Sequence, residues 1–135
     1  MSRPKPEDYI LYTGEKFQVE FYFTEKGELP AKEYFDSSEY QVKIKLLALV
    51  KYMAEYAKLF DESKFRLVDP KEKIYEFKPK DERFFNFFCA DHRIIITNAY
   101  RKKGRKVNPG ELRKAIRFKK DYESRIKESG YYENQ

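Results

Sequence analysis

Arg83, Lys102 and Lys103 are the residues whose types and positions best suit chemistry on a phosphodiester. Arg83 opens an aromatic run, residues 83–89, and the two lysines follow an aliphatic run, residues 93–101. The short break at residues 90–92 suits an antiparallel hairpin. A residue opening one strand of a hairpin lies close to the residues ending its partner. Permanent cations therefore meet at one end of a sheet, where their repulsion calls for an anion. Arginine offers a phosphate a planar pair of donors, and lysine a mobile point charge.

The surrounding charge points the same way. Residues 101–120 hold ten Lys or Arg and a single acid, Glu111, giving +9 on a chain whose total is +6. The remaining residues therefore sum to −3. Such a concentration on one loop and one helix favours a polyanionic partner, RNA or DNA. The competing account is a solvated helix face with ordinary surface lysines. Arg101, Arg105, Lys106 and Arg113 from this segment are candidate nucleic-acid contacts, as is Lys78 from the preceding strand.

Other chemistries lack their residues. The chain has no glycine-rich phosphate loop, no HExxH and no paired Cys/His spacing for a metal. Its one histidine, His92, falls at a hairpin turn, where it is either a general base or an ordinary polar surface residue. Hydrolysis by a Ser/His/Asp triad has no support. No cofactor or metal is expected. The single cysteine, Cys89, excludes an internal disulfide framework and fits a reducing cytosol. No apolar run approaches the ~20 residues needed to span a bilayer, and residues 1–16 carry no secretory or transit character. A cytoplasmic protein without a membrane partner is the expectation.

These residues need a scaffold. At 135 residues, with twelve Tyr and twelve Phe, the chain can bury the core of one domain despite 39% charged residues. Residues 1–15, with Pro4, Pro6 and Gly14, read as a loose N-terminal extension. The domain proper is expected over residues 16–129, and residues 130–135 as a polar tail. Residues 17–23 alternate apolar and polar and predict a strand. A short helix is expected at residues 31–35, and a long one after Ser38, whose spacing to Gln41 suits a capping box. Its expected buried stripe contains Tyr40, Ile44, Leu47, Val50, Ala54 and Ala57, widened by Leu46, Met53 and Phe60. Strands follow at residues 73–78, 83–89 and 93–101. Asn108, Pro109 and Glu111 then start a helix that Gly130 stops. The expected class is α+β, an antiparallel sheet of three to four strands with two N-terminal helices and a C-terminal helix, largely on one face.

Three segments carry a family resemblance: IYEFKPK at residues 74–80, ERFFNFF at 82–88, and IIITNAYRKKGRKVNPGELRKAIRFKKDY at 94–122. In that order they resemble the RelE/HigB toxin superfamily, in particular its phage-derived HigB-like branch. The resemblance implies a RelE-like fold and the toxin of a type II toxin–antitoxin pair. It implies a metal-free endoribonuclease that cleaves mRNA on the ribosome, with the 2′-OH attacking the adjacent phosphate to leave a 2′,3′-cyclic phosphate. Its partners are then mRNA, the ribosome and a cognate helix-turn-helix antitoxin.

On this resemblance Arg83 matches the arginine that binds the scissile phosphate. Lys102 and Lys103 match paired lysines that hold flanking phosphates or move protons. Lys78 stands where the family usually has arginine. Asn86 and Asn98 stand where it usually has tyrosine and histidine, which removes two titratable groups. Tyr75 and Tyr100 are candidate replacements, against the alternative that both only pack on the sheet. The alternative function is an inactive RNA- or partner-binding member of the same fold.

Overall fold

A computed structural model describes residues 3–58 and 61–132, and the fold is α+β. In chain order it contains α1 (Pro6–Tyr9), β1 (Ile10–Thr13), β2 (Gln18–Phe21), α2 (Pro30–Asp36), α3 (Tyr40–Tyr56), β3 (Phe65–Asp69), β4 (Ile74–Phe77), β5 (Glu82–Cys89), β6 (Arg93–Arg101) and α4 (Pro109–Lys127). The strands form one sheet in the order β1-β2-β6-β5-β4-β3. Neighbours are antiparallel except β2 and β6, which run parallel. The sheet is therefore six-stranded and mixed, not an antiparallel one of three to four strands. The four strands read from the sequence are its centre, and β1 and β3 are added as edges.

Each difference has a physical origin. A parallel pair needs a long crossover, and the chain between β2 and β6 supplies one. The prolines and Gly14 mask β1, so residues 10–13 belong to the sheet and not to a loose extension. A Cβ on Gly14 would fall 2.6 Å from the Ala54 side chain, so glycine lets the β1–β2 turn rest on the end of α3.

Strand alternation gives both faces an apolar layer. Val19, Phe21, Phe77, Phe84, Ile94 and Ile96 pack with Ala31 of α2 and with Val42, Leu46, Val50, Met53 and Ala54 of α3. Ile74, Phe85, Phe87 and Ile95 pack with Ala115 and Tyr122 of α4 on the other face. The helices thus cover both faces, where the sequence suggested mainly one. The consecutive fully buried residues Ile94, Ile95 and Ile96 record that double coverage.

Helix details sharpen this picture. The buried stripe of α3 is rotated from the expected one: Tyr40, Ile44 and Leu47 are exposed, at 73%, 41% and 40%. Phe60 lies outside the described residues. Glu39, without a side-chain cap, precedes α3, whereas Ser38 Oγ donates to the Tyr34 carbonyl of α2. Asn108 caps α4 as expected, accepting from the Gly110 and Glu111 amides at 2.9 and 3.1 Å. The tail is only partly polar. Tyr131 is fully buried, its ring 4.1 Å from that of Phe23, and its hydroxyl accepts from the Phe23 amide.

Candidate functional site

Arg83 faces the α4 side of the sheet, because its neighbour Phe84 belongs to the α3 side. By the same alternation Glu76 of β4 and Lys78 just beyond it face α4, since Tyr75 and Phe77 pack toward α3. Arg66 follows, being in register with Glu76. Lys102 joins them through an irregularity in β6. The β5–β6 register pairs Phe85 with Asn98 but Asn86 with Ile96, so Thr97 is an extra residue. That bulge shifts the alternation by one. Ile95 faces α4 before it, and Asn98 and Tyr100 face α4 after it, which aims Lys102 the same way.

The result is a cluster of Arg66, Lys78, Arg83 and Lys102 about one carboxylate, Glu76. Their proximity shows in the Lys78 pKa, which is lowered first by burial and then by Arg83, with further lowering from Arg66 and Lys102 and opposition from Glu76. The Lys78 Nζ donates to the Glu62 carbonyl at 2.9 Å. Arg83 forms no ion pair among the described residues; its Nη1 donates to the Lys80 and Glu82 carbonyls, both at 2.8 Å. Glu76 is fully buried, and its Oε2 accepts from Arg66 Nε and Nη2 at 3.1 and 2.9 Å. Glu76 Oε1 and Arg83 Nε are buried without a hydrogen-bond partner among the described residues. Tyr100 borders this cluster. It is 8% exposed, its hydroxyl accepts from the Asn108 amide at 3.3 Å, and burial raises its pKa.

The other expected site residues disperse. Lys103 and Lys106 line a hollow of about 460 Å³ with Tyr100 and Asn108 at the start of α4. Gly104, with a left-handed φ of 76°, turns the chain between Lys103 and the exposed Arg105. Arg101 is on the α2 side, 3.5 Å from both Asp81 and Glu82, and so leaves the cluster. Arg113 is exposed two residues from buried Ala115, on the solvent side of α4. Tyr75 is on the α3 face, stacked on Phe65 at 5.3 Å and 9°, which makes it packing and not chemistry. His92 is exposed at the far end of the β5–β6 hairpin. Six residues of strand, about 20 Å, separate the Arg83 and Cys89 ends of β5, so His92 is no base for this cluster. Asn86 and Asn98 are buried and donate to the Phe84 carbonyl and to Glu111. The half-buried Cys89 thiol is pushed up to about 12 by burial, which denies it a thiolate role.

Arg66 and Glu76 were missed by the sequence reading. Asp69-Pro70, a turn signal between Phe65–Asp69 and Ile74–Phe77, marks the hairpin that joins them. No family model matches the chain, and no curated protein matches its sequence. Fold and site together define an α+β protein with four clustered cations around a buried carboxylate. Such an arrangement can bind an anion and stabilise charge that develops on it, with no metal-ligand cluster among the described residues.

Proposed function

We propose that the chain is the toxin of a type II toxin–antitoxin pair, a cytoplasmic endoribonuclease that cuts ribosome-bound mRNA without a metal. The 2′-hydroxyl gives its proton to water as its oxygen forms a bond to the adjacent phosphorus, the P–O5′ bond breaks, and the leaving oxygen takes up a proton from water. A 2′,3′-cyclic phosphate and a 5′-hydroxyl remain. One observation carries this function: Arg83, Lys78, Lys102 and Arg66 share one sheet face with unsatisfied buried polar atoms between them. Fixed cations are what a phosphorane needs, because its charge grows on non-bridging oxygens. The order of the motifs over residues 74–122, which resembles that of the RelE/HigB superfamily, supports this reading. A helix-turn-helix antitoxin is the partner that would silence it. Induced expression without the antitoxin should arrest growth and leave transcripts with cyclic-phosphate ends, and Arg83→Ala should relieve both. Undisturbed growth would overturn the proposal.

A second function is favoured by the proton chemistry. Tyr100 is buried with a raised pKa, Tyr75 and His92 are elsewhere, and positions 86 and 98 hold amides. An inactive member would bind RNA with affinity falling steeply in salt, yet release no cleavage product. Cyclic-phosphate ends after incubation with ribosomes would dismiss it.

A further inference from the structure

We infer, building on the RNA-binding function just proposed, that Arg66 is a second phosphate contact, oriented by buried Glu76 toward a backbone phosphate beside the one at Arg83. Arg66 lies on edge strand β3 and Arg83 on β5, two strand spacings away, roughly 10 Å across the sheet. Both Nε and Nη2 of Arg66 donate to the same Glu76 oxygen, Oε2, which fixes the plane of the guanidinium. Its remaining donors have no hydrogen bond among the described residues, and 33% of the side chain is exposed. Pinned in this way, Arg66 is held back from the phosphate at Arg83 and meets a neighbouring one.

The carboxylate itself calls for an explanation. Glu76 is fully buried with Oε1 unpartnered, an arrangement that stability alone disfavours, since apolar replacements of buried ion pairs are often neutral or stabilising. Holding an arginine in one orientation among other cations accounts for it. Glu76 is then a positioning residue, and the ligand is a single-stranded polynucleotide that lays consecutive phosphates across β5, β4 and β3. A mononucleotide would meet only half of this surface.

The test uses the full chain and a fluorescein-labelled 2′-O-methyl oligouridylate, which cannot form the cyclic phosphate. Binding is followed by anisotropy across a range of salt. Arg66→Gln should weaken binding about tenfold, the size of one charge-assisted contact. It should also lower the slope of log K against log salt by about 0.7, the value of one phosphate on a single strand. Arg66→Lys should retain the slope and lose affinity, because an ammonium lacks the paired donors. Glu76→Gln is decisive through its sign. It adds one unit of net positive charge, so a mere counter-charge would make the variant bind more tightly, which overturns the inference; a positioning role makes it bind more weakly. Should that variant fail to fold, as judged by thermal melting, the Arg66→Gln/Glu76→Gln double variant must show the lowered slope. Wild-type protein that fails to bind the oligonucleotide refutes the RNA function itself. Wild-type binding with unchanged affinity and slope in the Arg66 variants refutes only the second contact.

Discussion

Glu20 and Glu76 are both fully buried on the α4 side of the sheet, and each meets an arginine from another strand. Their surroundings differ. Glu20 Oε2 takes the Gln18 amide at 2.6 Å and lies 3.3 Å from Arg93 Nε, and its Oε1 accepts from Tyr132 at 2.6 Å. Arg93 also pairs with Asp91 at 2.6 Å and sits 4.4 Å from the Tyr132 ring centroid. Both oxygens are satisfied, and the cation is matched by two acids. Around Glu76 one oxygen is unpartnered, and four cations gather about this one buried carboxylate. The first arrangement is closed and ties the C-terminal segment to the sheet. The second holds cations in excess of carboxylate, an imbalance that an anion would offset. Two buried glutamate–arginine pairs on one face of the sheet thus differ in how fully their surroundings satisfy them.

The contrast can be broken first at the closed end. Tyr131→Ala removes a fully buried aromatic and should cost about 3–5 kcal/mol in urea denaturation while folded protein still binds RNA. Next comes the paired substitution of the arginines. Arg83→Ala should lower RNA cleavage by about 10²–10³-fold with little loss of stability. Arg93→Ala should do the reverse, leaving cleavage intact and lowering stability by about 1–3 kcal/mol. Equal effects on cleavage would erase the distinction between the ends.

A subtler probe is pH. Burial raises the Glu20 pKa above 4.5, against the hydrogen bonds from Tyr132 and Gln18 and the charge of Arg93. The fold therefore favours the protonated carboxyl. This contribution is complete below the unfolded pKa and is lost as pH rises through the folded value. Glu20→Gln cannot titrate, so its stability relative to wild type should increase from acid to neutral pH, measured as paired denaturation midpoints. A constant difference would show that folding leaves the Glu20 pKa unchanged. The smallest expected effect belongs to His92→Ala, which should change neither cleavage nor stability by more than about 0.5 kcal/mol.

The sequence by itself determined the class of the fold and the start of α4, because alternation, the run of isoleucines and the Asn108-Pro109-Glu111 signal depend on near neighbours in the chain. It also marked Arg83 and Lys102, since a hairpin places the start of one strand beside the end of the next. Arg66 escaped notice because its value depends on β4, which only the edge pairing brings alongside. The choice of Lys102 over Arg101 was made by the extra residue at Thr97. A side chain's face on a strand is a parity, and one inserted residue reverses it for everything beyond. Local residue preferences carry no count of such insertions. Only the register against the neighbouring strand does, so the tertiary structure decided which cations share one face of the sheet.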